Sequence, residues 1–139
     1  MAVKTDNLKL KTKGETDIID ITGEVKNALK KSKLEKGVIT VFVPGATGAL
    51  TTVEYEPGLM RDLAEAFEKL APREGEYAHN ERWGDGNGFA HVRASFLGPS
   101  LSVPFVEGEL TLGTWQQIIF IDFDNKKRSR ELVLQIIGE

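Results

Sequence analysis

The residues best suited to chemistry lie in one glycine-rich stretch of the chain. The sequence has two histidines, His79 and His91, and both flank a run rich in glycine, carboxylate, amide and guanidinium groups. An imidazole titrates near neutral pH, so such a pair suits general acid–base catalysis or the binding of a phosphate group. Because sites are commonly built on loops held by a rigid scaffold, we predict that the two histidines face each other across a pocket.

Other interpretations of the two histidines stay open at this point. They could ligate a divalent metal together with a carboxylate such as Asp62 or Glu54. They could also make only local hydrogen bonds, which is the commoner fate of a single histidine. Their shared position at the ends of one unusual loop favours a functional role for the pair.

The segment after the loop adds a candidate anion ligand. Residues 90–97 alternate between apolar and polar types, which predicts a strand with His91, Arg93 and Ser95 on one face. A guanidinium beside an imidazole suits a phosphate oxygen, and it can hold two such oxygens at once. We therefore expect the change Arg93→Lys to leave folding intact and to weaken phosphate binding more than Arg82→Lys does. A half-exposed strand face is the simpler alternative.

Two further motifs contain glycine. Residues 84–88 resemble a nucleotide-binding loop, but the pattern predicts a strand after them rather than a helix, which argues against a dinucleotide site. Their backbone N–H groups could still bind an anion. Gly113 precedes Trp115, which we expect to pack in the core, and Gln116, which would need a partner if buried.

The sequence pattern also predicts the helices and strands that must position these residues, and together they indicate an α+β domain. Two helices are expected, one capped by the hydroxyl of Thr22 and ending near Gly37, the other running from Pro57 to Leu70. Strands are predicted at residues 3–11, 17–21, 38–43, 49–55, 90–97, 101–106, 110–122 and 129–137, the last two forming a hairpin around residues 124–126. The chain reads as a single domain, 1–139, with two helices packed on a largely antiparallel sheet or sandwich.

The composition excludes several classes of protein. The 139 residues include no cysteine, which removes disulfides and thiolate metal sites. The net charge of −3 gives no case for a nucleic-acid partner. No apolar run approaches a membrane span, and the first residues do not resemble a signal peptide, so we expect no membrane partner and a cytoplasmic location.

Three C-terminal motifs carry a family resemblance. The runs from Asn87 to Ser95, from Leu97 to Pro104 and from Leu112 to Gln116 resemble, in content and order, the signature of the YjbQ-like family, whose members are known as secondary thiamine-phosphate synthases. Residues 20–22 and 37–44 resemble its N-terminal half. The resemblance covers nearly the whole chain.

This resemblance implies a fold, an assembly and a site. It implies a YjbQ-like fold and a homotrimer, in which subunit contacts would help to form the site. It also implies a side activity that joins a thiazole phosphate to an aminopyrimidine pyrophosphate. The implied site has His79, His91 and Arg93 as catalytic residues. The substrate-binding residues would be Glu54, Asn87, Gly88 and Ser95, and a metal would be held by His79, His91 and Asp62.

The chain departs from the family pattern at Gly45 and Phe89, where many members have histidines. A three-histidine metal site is therefore excluded, whereas two histidines with one carboxylate could still hold magnesium or zinc. The leading hypothesis is a small-molecule enzyme that acts on a phosphorylated substrate. The alternative is a non-catalytic binding module for a small anionic metabolite.

Overall fold

The chain folds into two antiparallel sheets and four helices, and the computed structural model describes residues 1–139 throughout. The strands are β1 (Ala2–Thr12), β2 (Asp17–Asp20), β3 (Lys36–Phe42), β4 (Gly48–Val53), β5 (Ser100–Val106), β6 (Glu109–Leu110), β7 (Gln117–Asp122) and β8 (Arg128–Gly138). The helices are α1 (Thr22–Ser32), α2 (Pro57–Leu70), α3 (Ala78–Trp83) and α4 (Gly88–Leu97). The predicted α+β class is confirmed, with four helices in place of two. None of these helices combines the length and apolar character that crossing a membrane requires.

The two sheets differ in size and in what covers them. The larger sheet has the order β1-β8-β3-β5-β6 and the smaller has the order β2-β7-β4. All neighbouring strands pair antiparallel. One core joins α1 to strands of both sheets and includes Val25, Ile39, Leu50, Phe120 and Leu134. A second core packs α2 and α4 on the smaller sheet through residues such as Phe67, Phe89, Ala94, Ile119 and Ile121. The smaller sheet is therefore buried on both faces, which explains why β7 reads as a continuous apolar run.

The strand predicted over residues 90–97 is wrong, because this segment forms α4. The buried residues of α4 include Phe89, Ala90, Arg93 and Ala94, a set spaced by three and four positions. Side chains at these spacings share one face of a helix, and alanine favours helix over strand. The alternation of polar and apolar residues was misleading, because the helical spacing runs through the same segment.

The predicted C-terminal hairpin is also wrong. Strand β7 lies in the smaller sheet, whereas β8 pairs with β1 and β3 in the larger one. The connection between them, residues 123–127, therefore passes from one sheet to the other. It carries Phe123 and Asp124 into the interior of the fold rather than to the tip of a hairpin.

Two smaller predictions fail for local reasons. The hydroxyl of Thr22 does not cap α1; it donates to Asp20 Oδ1 at 2.6 Å and accepts from the N–H of Ile118 at 2.9 Å. Trp115 was expected in the core, but it is 71% exposed. The side-chain amide of Gln116 does find a partner, donating to Thr52 Oγ1 at 3.0 Å.

Candidate functional site

The side chains of the two histidines are in contact. His79 lies on α3 and His91 on α4, and their ring centroids are 4.3 Å apart with the planes tilted by 39°. The prediction that they approach each other is confirmed, but the two rings are in direct contact rather than on opposite sides of a pocket, and only His91 lines the adjoining pocket. Two imidazoles at this distance interact electrostatically, so the charge of one ring affects the proton affinity of the other.

The chain between the histidines holds α3 against α4. The N–H of Gly88 donates to Asn80 Oδ1 at 2.9 Å, and the carbonyl of Asn87 accepts from Ala90 and His91 at 3.0 and 3.3 Å at the start of α4. A Cβ at position 88 would lie 2.6 Å from the Cβ of Tyr77, so only glycine permits this approach. Gly88 was predicted to bind substrate; in the structure its N–H and its missing side chain serve the packing of the two helices.

A carboxylate lies beside the histidine pair. Asp85 Oδ1 is 3.5 Å from His79 Nδ1, and this nitrogen is buried without a hydrogen-bond partner. The amide of Asn87 donates to both oxygens of Asp85, at 3.0 and 3.2 Å, when its nitrogen faces that carboxylate. We prefer this orientation because the reverse one gives only a 3.4 Å contact with Asp124. Asp85 therefore lies beside the unpartnered nitrogen of His79.

The surroundings favour the neutral form of His91. Burial lowers the pKa of His91 below its usual value, and the neighbouring His79 lowers it further. The carboxylates of Asp124 and Asp85 oppose this effect without reversing it. A neutral imidazole at neutral pH is able to accept a proton, which is what a general base requires.

An open pocket of about 460 Å³ adjoins His91. It is lined by residues of α4, of the loop before β4 and of the loop before β5: Gly45, Ala46, Gly48, His91, Ala94, Ser95, Gly98 and Pro99. His91 and Ser95 are four residues apart on α4 and share this face of the helix. Ser95 is exposed, and its hydroxyl donates to the carbonyl of Val92 at 2.8 Å. The predicted proximity of His91 and Ser95 therefore holds, although a helix rather than a strand provides it.

Arg93 does not lie in this pocket. It is 4% exposed and faces the second core, where Nε donates to the carbonyl of Ala71 and Nη1 to Thr16 Oγ1, both at 2.9 Å. Nη2 pairs with Glu68 at 2.7 Å. The ring of Phe89 lies 4.9 Å below the guanidinium. The expected common face with His91 is wrong, because two residues that alternate in a strand point in nearly opposite directions on a helix.

The predicted carboxylate members of the site are not assembled with the histidines. Glu54 is exposed beyond the end of β4, Asp62 is exposed on α2, and neither lines the pocket. No group of three or more histidine, aspartate or glutamate side chains is arranged to hold a metal ion. The metal set of His79, His91 and Asp62 therefore does not fit this chain.

A buried ionic cluster near the site was not predicted from the sequence. Asp122 and Asp124 are 0% and 1% exposed. Arg130 binds Asp122 through Nε at 2.8 Å and through Nη2 at 2.9 Å, and Arg128 pairs with Asp124 at 2.7 Å. Burial by itself would raise the pKa of Asp122, but hydrogen bonds from Arg130, Thr12 and the N–H of Asp124 outweigh it and lower the pKa. For Asp124, burial is likewise outweighed by the hydrogen bond from Arg128.

This cluster connects to the glycine-rich loop. Asn125 Nδ2 donates to the carbonyl of Asp85 at 2.8 Å, and Asp124 contributes to the field at His91. The sequence does contain a pattern from which part of this cluster could be predicted. Arg130 alternates with Leu132 and Leu134, which face the core, so the strand period alone places a cation inward.

Comparison with known proteins agrees with the motifs. A family profile described as "UPF0047 protein YjbQ-like" matches residues 6–139. The chain belongs to the YjbQ-like family. A UPF0047 protein of Archaeoglobus fulgidus is 40% identical over 126 residues, covering 91% of this chain and 96% of that one. The Bacillus subtilis UPF0047 protein YugU is 33% identical, with coverage of 94% and 97%.

Solved structures of the YjbQ-like family share the fold. A crystal structure of a YbjQ-like protein of unknown function from Sulfolobus solfataricus matches with a TM-score of 0.94 at 32% identity, covering 99% of both chains. An uncharacterized conserved protein of the yjbq/upf0047 family from Clostridium acetobutylicum matches with a TM-score of 0.86 at 37% identity, covering 95% of this chain and 99% of that one. The two-sheet architecture is therefore that of the YjbQ-like family.

Proposed function

We propose that this protein is a cytoplasmic small-molecule enzyme that acts on a phosphorylated substrate in the pocket beside His91. The observation that carries the proposal is the contact between His79 and His91, with ring centroids 4.3 Å apart and His91 lining an open pocket. In this mechanism the neutral His91 accepts a proton from the substrate. The carboxylates of Asp85 and Asp124 favour the positive charge that then develops on His91, and His79 relays the proton from His91 to the leaving group.

The family resemblance supports a specific reaction as a side activity of this pocket. Coupling of a thiazole phosphate to an aminopyrimidine pyrophosphate expels pyrophosphate, whose developing charge requires hydrogen-bond donors or cations. Arg93, the cation that the sequence analysis assigned to this task, is committed to the core. Of the predicted donor set, His91 lines the pocket, and the ring of His79 lies 4.3 Å from that of His91.

The proposal is tested by supplying the thiazole phosphate and the aminopyrimidine pyrophosphate to wild type, His79→Gln and His91→Gln and measuring the pyrophosphate released. Removal of a general acid or base lowers a rate by roughly 100-fold or more, so both variants should lose that much of kcat. Arg82→Lys is the matched control, since Arg82 is exposed on α3, one turn from His79. Unchanged turnover in both histidine variants would contradict the proposal. Saturable binding of substrate without turnover in wild type would favour the binding module.

We also propose that the protein assembles as a homotrimer, as the family resemblance implies. The outer face of the larger sheet supports self-association, because it exposes Val38, Phe42, Val106 and Ile137. Val38 and Ile137 are direct neighbours on β3 and β8. Exposed apolar residues grouped in this way mark interaction surfaces. Light scattering should give three times the monomer mass, and the double change Val38→Lys and Ile137→Lys should reduce it; a wild-type monomer at micromolar concentration would contradict the assembly.

A further inference from the structure

Arg130, whose side chain is largely buried, has one guanidinium nitrogen without a partner in the protein. Arg130 binds both oxygens of Asp122 through Nε and Nη2, and Nη2 also donates to Thr47 Oγ1 at 2.7 Å. Its side chain is 11% exposed. The remaining nitrogen, Nη1, makes no hydrogen bond to the protein. The guanidinium is thus fixed in position with one pair of N–H groups available.

Gly45 leaves the way to this nitrogen open. A Cβ at position 45 would meet a single heavy atom within 4 Å, and that atom is Arg130 Nη1 at 3.2 Å. Apart from residues 44–46 themselves, this nitrogen is the one heavy atom within 4 Å of that position. An oxygen atom placed at that position would lie at hydrogen-bond distance from Nη1. Gly45 also lines the pocket that contains His91 and Ser95.

The free Nη1 group of Arg130 is chemically suited to bind an oxyanion. Guanidinium binds phosphate oxygens through charge-assisted hydrogen bonds, which are stronger than neutral ones. The hydrogen bonds to Asp122 hold the pKa of Arg130 above its usual value, so the group stays charged. The same bonds fix the side chain, which reduces the entropy lost when a ligand binds.

We propose that the Nη1 edge of Arg130, reached past Gly45, binds an oxygen of a phosphate or pyrophosphate group in the pocket beside His91. This inference rests on the proposed function and names its anion-binding residue. It replaces Arg93 in the role that the sequence analysis gave to an arginine. The occupant is defined by its chemistry, a phosphoryl oxyanion, whether it belongs to a phosphate ester or to free pyrophosphate.

The test is calorimetric titration with pyrophosphate, inorganic phosphate and methyl phosphate. Gly45→Ala places a methyl group over Nη1 while leaving the pair of Arg130 and Asp122 in place, and it should weaken pyrophosphate binding about tenfold, the loss expected for one hydrogen bond to a charged group. Gly45 has φ +139°, so alanine also adds backbone strain. Gly108→Ala is the matched control, with φ +73° at a turn remote from the pocket and no neighbour closer than 3.8 Å.

Arg130→Lys is the second variant, because lysine lacks the second nitrogen edge. It should weaken binding to a similar extent, with circular dichroism reporting whether it folds. If it does not fold, Gly45→Ala decides. Binding of methyl phosphate would indicate that the site holds the phosphate ester of a substrate. Binding of pyrophosphate alone would indicate that the site holds the leaving group. Either result supports the proposal if Gly45→Ala weakens that binding.

Other outcomes separate this inference from the proposed function. Wild-type affinity in Gly45→Ala, with affinity lost in His91→Gln, would overturn the role of Arg130 and leave the histidine site standing. Weak binding in Gly45→Ala with full binding and turnover in both histidine variants would support Arg130 and contradict the histidine mechanism. Absence of binding of all three anions to wild type would overturn the inference.

Discussion

Two arginines with largely buried side chains, in two regions of the molecule, use their guanidinium nitrogens differently. Arg93 lies between α2, α4 and the loop before β2, and each of its three nitrogens donates to a protein oxygen. Arg130 lies where the two sheets meet, and it leaves Nη1 without a protein partner beside a glycine at the pocket. A guanidinium whose nitrogens all donate to protein oxygens stabilises the packing of the elements around it. A guanidinium with a free nitrogen can also bind a ligand. The exposed fraction of the side chain does not distinguish a structural arginine from a ligand-binding one, but the number of N–H groups without a protein partner does.

The counter-charges of the two arginines also differ. Asp122, the partner of Arg130, is 0% exposed, whereas Glu68, the partner of Arg93, has a side chain 55% exposed. Removal of a fully buried partner leaves a charge that water cannot solvate, which is the most costly kind of change. We therefore expect the Arg130 region to be the more sensitive of the two to loss of its carboxylate.

The largest effect is expected for Asp122→Ala. This change leaves Arg130 buried without its carboxylate and should lower the free energy of unfolding by about 3–5 kcal/mol, measured by urea denaturation. Asp6→Ala is the control, since Asp6 pairs with Lys31 at the surface, at 3.5 Å, and should cost about 1 kcal/mol or less. A cost for Asp122→Ala as small as that of the control would mean that Arg130 reaches water in solution.

Arg93→Lys is expected to come next. Lysine cannot bond Ala71, Thr16 and Glu68 at once, so the free energy of unfolding should fall by about 1–3 kcal/mol while the affinity for pyrophosphate stays unchanged. Arg82→Lys, a change at an exposed side chain, should cost about 0.5 kcal/mol or less. The reverse result, normal stability with weakened anion binding, would restore the role that the sequence analysis assigned to Arg93.

Acid should act mainly on the Arg130 region. The folded state lowers the pKa values of Asp122 and Asp124, because their hydrogen bonds outweigh burial. The stability they contribute is present above their unfolded pKa of about 3.9 and is lost as pH falls through the lower folded values. The melting temperature of wild type should drop steeply in that window, and Asp122→Asn should show a shallower drop. Parallel curves for the two proteins would assign the acid sensitivity to other groups.

The smallest effect concerns His91, which shares α4 with Arg93. Burial, followed by the neighbouring His79, lowers the pKa of His91 in the folded state. The unfolded chain therefore binds more protons below pH of about 6.5, and stability declines slightly as pH falls through that value. His91→Gln should remove this slope from melting curves recorded between about pH 7 and pH 5. An unchanged slope would mean that the imidazole is solvated as in the unfolded chain.

Local sequence patterns determined much of the architecture. Strand β3 was readable because its β-branched run is bounded by Gly37 and Pro44, and α2 because its apolar residues recur at helical spacing between Pro57 and Pro72. The family followed from three motifs in the C-terminal half, and the contact between His79 and His91 from their place on either side of one glycine-rich stretch. These inferences use neighbours in the chain, so the sequence alone carries them.

The tertiary structure decided what depends on distant partners. Residues 90–97 fit a strand or a helix locally, and the packing of Phe89 and Ala94 against the smaller sheet selects the helix. Strands β7 and β8 are adjacent in sequence, yet each pairs with remote strands in a different sheet. Which arginine keeps a free nitrogen depends on Asp122, Thr47 and Gly45 converging on Arg130, and no local pattern records such a convergence. The sequence shows that arginines and a histidine pair are present, and only the packing decided which arginine keeps a free nitrogen beside Gly45.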